Sequence, residues 1–481
     1  MNTSVGEAAA LPGYDVPQGF AGQGWWRVPG AVDAPPLTVG SRIAFGALVA
    51  FTTILLLSPQ IWFPVLGSLR IAFVAACMSI GAHLLDRIVR RDGGVPTAAE
   101  FIVAFLLVAW AVVTVPVAYW AAGSVELLTN QYLKAVAFFW LIGTLATTTS
   151  RLRVFCWTLV LCSVPLAATG IKNYATGEFL ITSTGVTRIE GYWGGSGIAG
   201  NPNDLALVLN LTIPIAAALM ISARSWLGRA TAGSAMLLAI AGVVVTFSRA
   251  GFLTLAAIGV LLFAVLMRRR STGAAALLLI VALAAPVFMP TEYTDRLSTI
   301  TNIELDTTGS AQGRWQDLLV AADVVARNPL IGFGVGNDML ALNDARGFAT
   351  WRSVHNAYLQ YAVDLALPGL ILFAALHLMC FRDARAVEKR AAQDPAVSQL
   401  GPIAAGVQVS LAAFFVAAMF HPIAYQFYFF TIAGLAVALK NTCSAIRSDR
   451  SDRSSRSTVR AIPVPSVPNG ERLERSERLT L

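Results

Sequence analysis

The residues most able to do chemistry in this sequence are four histidines and a few arginines at the ends of apolar runs. His355 precedes Asn356 where a long polar stretch gives way to an apolar one. A neutral imidazole there can accept a proton near pH 7, although a helix-end histidine bonded to backbone is the plainer reading. Arg249 sits in the short turn Ser248-Arg249-Ala250 between two apolar runs. Small neighbours let a ligand approach, and no nearby carboxylate in the turn neutralises it; the alternative is an arginine that snorkels to the interface. Arg314 follows Gly313 at the expected start of a helix, where an anion is favoured and a guanidinium adds a two-pronged donor. A surface pair with Asp317 is its bland alternative. Arg188 lies upstream of Gly200-Asn201-Pro202-Asn203-Asp204, and a purely structural pair with Glu190 would also account for it. Lys134, Arg70 and Lys172 fit interface anchors best. Asn356 and Asn203 are neighbours that could support a site.

The other histidines sort by position. His377 follows His355 by about 33 Å of helix, a full membrane thickness, so the two lie at opposite ends. His83 belongs with His377, whereas His421, before Pro422, belongs with His355. HExxH, CxxC, an Asp-rich metal motif and a P-loop are all absent from the sequence, so neither a metal site nor a cofactor is expected. Arginines beside a histidine suit a bound pyrophosphate, with guanidinium groups neutralising the leaving charge and a base activating an acceptor hydroxyl.

Such residues need a scaffold, and composition names it. Of 481 residues 56% are hydrophobic and only 13% charged, half the charge of a soluble domain. With a mean hydropathy of +0.65, a cytosolic globular enzyme and a disordered chain are excluded. The expected fold is an all-α polytopic membrane protein of about twelve spans: 42–60, 67–86, 100–121, 131–149, 153–171, 203–223, 231–247, 251–267, 273–290, 357–380, 402–420 and 424–441. Residues 1–41 read as a disordered leader and 442–481 as a disordered basic tail, with the transmembrane domain between, 42–441. The five cysteines fall in apolar runs or the tail and make no disulfide framework.

Basic connectors at Arg87/Arg90/Arg91, Arg151/Arg153, Arg224/Arg229, Arg268/Arg269/Arg270 and Arg382/Arg385/Lys389/Arg390 alternate with connectors poor in Lys and Arg. The positive-inside rule then puts these and both termini in the cytoplasm, as an even number of spans requires. The net charge of +8 therefore encodes orientation rather than nucleic-acid binding. Two loops, 172–202 and 291–356, face outward, and the second is long enough to imply function. Within it, 314–326 carries Trp315, Leu318, Leu319, Ala322 and Val325 at helical spacing and ends at Asn328-Pro329. This predicts an amphipathic helix lying on the membrane surface or on the bundle. A transporter would share the span count, but it would show internal repeats or ionisable groups at mid-membrane.

Read in order, Arg188, Gly200-Asn201-Pro202-Asn203, Ser248-Arg249-Ala250-Gly251, Gly313-Arg314-Trp315, Asn328-Pro329-Leu330-Ile331-Gly332-Phe333-Gly334 and His355-Asn356-Ala357-Tyr358 resemble the O-antigen ligase and O-antigen polymerase superfamily over roughly 180–375. The resemblance implies a bacterial inner-membrane glycosyltransferase that takes a glycan from undecaprenyl diphosphate on the periplasmic side. The acceptor would be a sugar hydroxyl on lipopolysaccharide or another glycan (a ligase), a second carrier-linked repeat (a polymerase) or a protein (an oligosaccharyltransferase). It also implies a metal-independent, inverting reaction, with Arg249 and Arg314 on the pyrophosphate and His355 as base. Partners would be the carrier-linked glycan, the acceptor glycan or glycolipid, and membrane lipids. The ligase pattern of the family places Gly at the position of Ala366 and again at Gly369; here only the second is present. Tyr192, Trp193, Trp315 and Trp351 are candidates to stack on sugar rings.

Overall fold

The computed structural model describes residues 41–90, 98–181, 187–192, 198–284, 310–347 and 351–460. The leader over 1–40, Trp193, the loop segment 285–309 and the tail from 461 lie outside the described residues. The chain is a polytopic membrane protein. Among the described residues nine helices are long and apolar enough to cross a membrane. The other three expected spans are helical over their described residues but are not among these nine. They are α1 (Arg42–Leu57), the run Ala121–Leu127 that passes through a π-helical turn into α4 (Leu133–Leu145), and α9 (Thr272–Ala284). A two-stranded antiparallel sheet, β1 (Phe179–Ile181) with β2 (Thr187–Ile189), adds to an otherwise helical fold expected to be all-α.

The centre is α6 (Pro202–Ser222), whose side chains from Leu205 to Leu219 are all buried. A helix apolar on every side is what a bundle interior requires. Among the described residues, α5 (Thr149–Ala175), α7 (Trp226–Val245), α13 (Gly401–Ala418) and the helix Arg249–Arg268 pack around it. Lipid tails are as apolar as leucine, so close packing and buried hydrogen bonds must hold such helices together. Ser410 donates to the Leu211 carbonyl at 2.8 Å, and the Asn210 amide donates to the Gly251 carbonyl at 2.9 Å.

At the basic end, Lys440 of α14 (Phe427–Arg460) lies 2.6 Å from Glu100 of α3 (Ala99–Thr114) and 3.2 Å from Asp383 of α12 (Ala357–Gln393). Glu100 is buried, so this triad joins three helices through charges that water does not reach freely. The last helix does not stop near residue 441 but runs to Arg460, with Arg450 3.0 Å from Asp394.

The amphipathic loop helix is α10 (Ser310–Arg327), one turn longer at its start than the spacing predicts. Its inward stripe is Asp317, Ala321 and Val324, flanked by Leu318 and Val325. Trp315 and Leu319 of the expected apolar face are instead exposed, at 59% and 55%. The stripe shifted because Asp317 turns inward to bind Arg346 and, at 3.3 Å, Arg352.

The candidate active site

Helix starts assemble the site. Ser248 caps α8 (Arg249–Arg268) by accepting the Gly251 N–H at 3.1 Å, and its own hydroxyl donates to Asn203 at 2.8 Å. Arg249 is thus the first residue of its helix, half-buried, and held beside the start of α6, where Asn203 sits. Asn356 caps α12, accepting the N–H groups of Tyr358 at 2.9 Å and Leu359 at 3.1 Å. This capping fixes where the chain enters the membrane after His355.

His355 is half-buried, with Nδ1 3.1 Å from the Ser353 carbonyl oxygen. A carbonyl only accepts, so Nδ1 carries the proton and Nε2 is left as the acceptor. Burial and then the Arg314 charge push the His355 imidazolium down to about 4, with His421 and Arg352 acting in the same sense. The ring is therefore neutral at pH 7 and sits in a positive field. His421 is buried, its Nδ1 2.9 Å from the Ala417 carbonyl oxygen, and burial holds it below the ordinary value. The Arg314 charge also acts on it. The Arg314 charge thus acts on both histidines and Arg352 on His355, while the Asn203 backbone bonds toward His421.

Arg314 lies one turn inside α10 rather than at its first residue, which weakens the expected contribution of the helix terminus. Gly313 beside it leaves room for Arg352, whose guanidinium a Cβ at that position would strike. Arg346 and Arg352 both bind Asp317 Oδ1, and the Arg314 charge acts on the same carboxylate. Arg188 is the central residue of β2, paired with Leu180 of β1. Lys134 is exposed near the start of α4. Lys172 is paired with Glu178 at 2.9 Å. Tyr192 is buried at 4% exposure and cannot stack on a sugar, whereas Trp351, at 60%, can.

Behind the histidine, α12 breaks. Pro368 has no N–H and disfavours helical backbone before it. Ala366 takes φ 55°, ψ −166°, a region that only glycine adopts without strain. This is the position where the ligase pattern has glycine. The backbone groups around the break find partners outside the helix. The Val363 carbonyl accepts Phe333 N–H at 3.1 Å, and that of Asp364 accepts Gly334 N–H at 2.9 Å. Leu365 accepts the Trp110 indole at 2.8 Å, and Leu367 N–H donates to the Pro329 carbonyl at 3.1 Å. The run from Asn328 to Gly334 is thus a plug for the break. Gly332 must be glycine because a Cβ would strike the Asp364 carbonyl, and Gly334 has φ 89°.

Sequence reasoning passed over three further residues. Asp338 and Asp364 are both buried, and neither stands in a recognisable motif. Asp364 accepts the N–H groups of Gly336 at 2.8 Å and Asn337 at 3.0 Å, and the Tyr425 hydroxyl at 2.8 Å. Gln360 reaches across to the turn that holds His421, accepting Ala424 N–H at 3.1 Å. An acid so near a helix break was a signal that could have been used, since intramembrane carboxylates are rare without a task.

Residues 234–374 match the family model described as O-antigen ligase, and this stretch of the chain is an O-antigen ligase family domain. It contains Arg249, Arg314 and His355, while Lys134, Arg188, Asn203 and His421 lie outside it. The family implies transfer of lipid-linked glycans in surface-polysaccharide biosynthesis. No curated protein matches the chain.

Proposed function

From a membrane-embedded O-antigen ligase family domain built this way, we propose that the protein transfers a glycan from undecaprenyl diphosphate to an acceptor sugar hydroxyl on the periplasmic side. The observation that carries this reading is His355 held as a neutral acceptor inside the field of Arg314. Arg249 and Arg314 bind the pyrophosphate, with Arg188 a further candidate. His355 Nε2 takes the proton of the acceptor hydroxyl as that oxygen attacks the anomeric carbon, and carrier diphosphate leaves. Attack opposite to the leaving group inverts the anomeric centre. Guanidinium groups can neutralise the leaving charge without a metal ion, so chelation by EDTA should leave transfer intact.

The topology that suits this chemistry has twelve crossings, α1, α4 and α9 included, with both termini cytoplasmic. Alternating helix directions then bring the starts of α6, α8 and α12 to one end, opposite the Lys440 triad. Ala366 in place of the ligase glycine leaves the choice between ligase and polymerase to experiment. Deletion of the gene followed by glycan analysis decides it. Long polymer accumulating on the carrier identifies a ligase, and accumulating single repeats identify a polymerase. Unchanged glycans would reject both.

A further inference from the structure

Asp338 begins α11 (Asp338–Ala345) and is 4% exposed. Its Oδ2 accepts the Ser353 hydroxyl and, at 3.0 Å, the Val354 N–H. Its Oδ1 faces the Gln360 side-chain amide nitrogen at 3.5 Å. The other end of that amide accepts Ala424 N–H at 3.1 Å, three residues beyond His421. Ser353 is also the residue whose carbonyl oxygen orients His355. One buried carboxylate therefore holds Ser353 by its side chain and Val354 by its backbone, on both sides of the carbonyl that sets the imidazole. The same carboxylate reaches through Gln360 to the turn that carries the second histidine.

We infer that Asp338 is a positioning residue for His355, acting through Ser353 and Val354 to keep Nε2 aimed at the acceptor hydroxyl. This rests on the reading of His355 as the base. The role needs a carboxylate because every neighbour is a donor: Ser353 O–H, Val354 N–H and Gln360 N–H. An amide at position 338 can accept on one side only. Rotating it moves the donor–donor conflict to Val354 N–H, and rotating Gln360 instead moves it to Ala424 N–H; neither removes it.

The test uses the purified full chain with carrier-linked glycan and acceptor glycolipid extracted from the producing cell. D338N should lower kcat by at least about tenfold, as misplacing a reacting group by a fraction of an ångström does, with KM for the carrier-linked glycan unchanged. The double variant D338N/Q360E should restore most of kcat. Its carboxylate at position 360 can accept from both the new amide at position 338 and Ala424 N–H, which returns each donor its acceptor. A merely structural Asp338 would show less folded protein but normal kcat per folded molecule, and no rescue. If D338N does not fold, S353A carries the test: a fall in kcat of about threefold or more supports the clamp, and a wild-type kcat overturns it. Wild-type kcat in D338N with an inactive H355A rejects the role of Asp338 and leaves the base in place. An active H355A rejects the base itself.

Discussion

His355 gives its Nδ1 proton to the Ser353 carbonyl oxygen, 3.1 Å away, and so presents Nε2 as its only basic atom. Two pH effects follow from this contact and from the pKa of about 4 set by burial and Arg314. The folded-state value lies below the ordinary 6.5, so the unfolded chain binds more protons between the two. The stability that depends on neutral His355 is therefore complete above about pH 6.5 and is lost as pH falls toward 4. Activity should show a related split. Bound pyrophosphate offsets the Arg314 charge and lifts the base, so the acid limb of kcat should lie at higher pH than that of kcat/KM. Coincident limbs would mean that the anion does not bind beside His355.

Replacing Arg249 by Lys tests the fork geometry rather than the charge. An ammonium is a point donor and cannot grip two phosphate oxygens in one plane. R249K and R314K should each cost about tenfold or more in kcat/KM, roughly the worth of one charge-assisted hydrogen bond. Full activity in both would remove the bidentate model.

Ala366 offers a prediction of opposite sign. Its backbone strain is worth about 1–3 kcal/mol, while glycine costs about 0.5–1 kcal/mol in chain entropy. A366G should therefore stabilise the protein by about 1 kcal/mol, read as a higher melting temperature in detergent. A lower melting temperature would show that the break is held in a conformation alanine accepts.

Lys440→Met should do the reverse at the basic end. It leaves Glu100, whose side chain is 2% exposed, without its cation. Breaking a buried pair costs about 3–5 kcal/mol, and the lower end applies because Lys440 is a third exposed. Thermal melting would measure the loss, and E100Q/K440M should recover the part owed to Glu100, with Asp383 still lacking its cation.

Much of this arrangement could be read without coordinates. Apolar runs named the helices because a bilayer enforces length and hydrophobicity together. Arg249, Arg314 and His355 stood out because ionisable groups at span ends are few. What could not be read depends on partners distant in sequence. Asp317 and Arg314 look like a simple pair at helical spacing, but Arg346 and Arg352 from the far side of the loop join the same carboxylate. Tyr192 has the look of a surface aromatic, but it is buried as part of the main hydrophobic core. Asp338 and Gln360 are ordinary letters until the fold sets Asp338 between Ser353 and Gln360. Asn356, a candidate supporting residue of the site by sequence, is the cap of α12.

The break in α12 also has a consequence in time. Its carbonyls at Val363, Asp364 and Leu365 are satisfied by Phe333, Gly334 and Trp110, all made earlier in the chain. During synthesis the plug must wait, unpaired, until the later helix arrives. That helix in turn cannot rest in lipid with bare carbonyls, because hydrocarbon offers them no donor. Insertion of α12 and closure of the outer loop are therefore one event. A nascent chain halted before residue 367 should hold its loop open to protease, and release of the next turn of helix should close it.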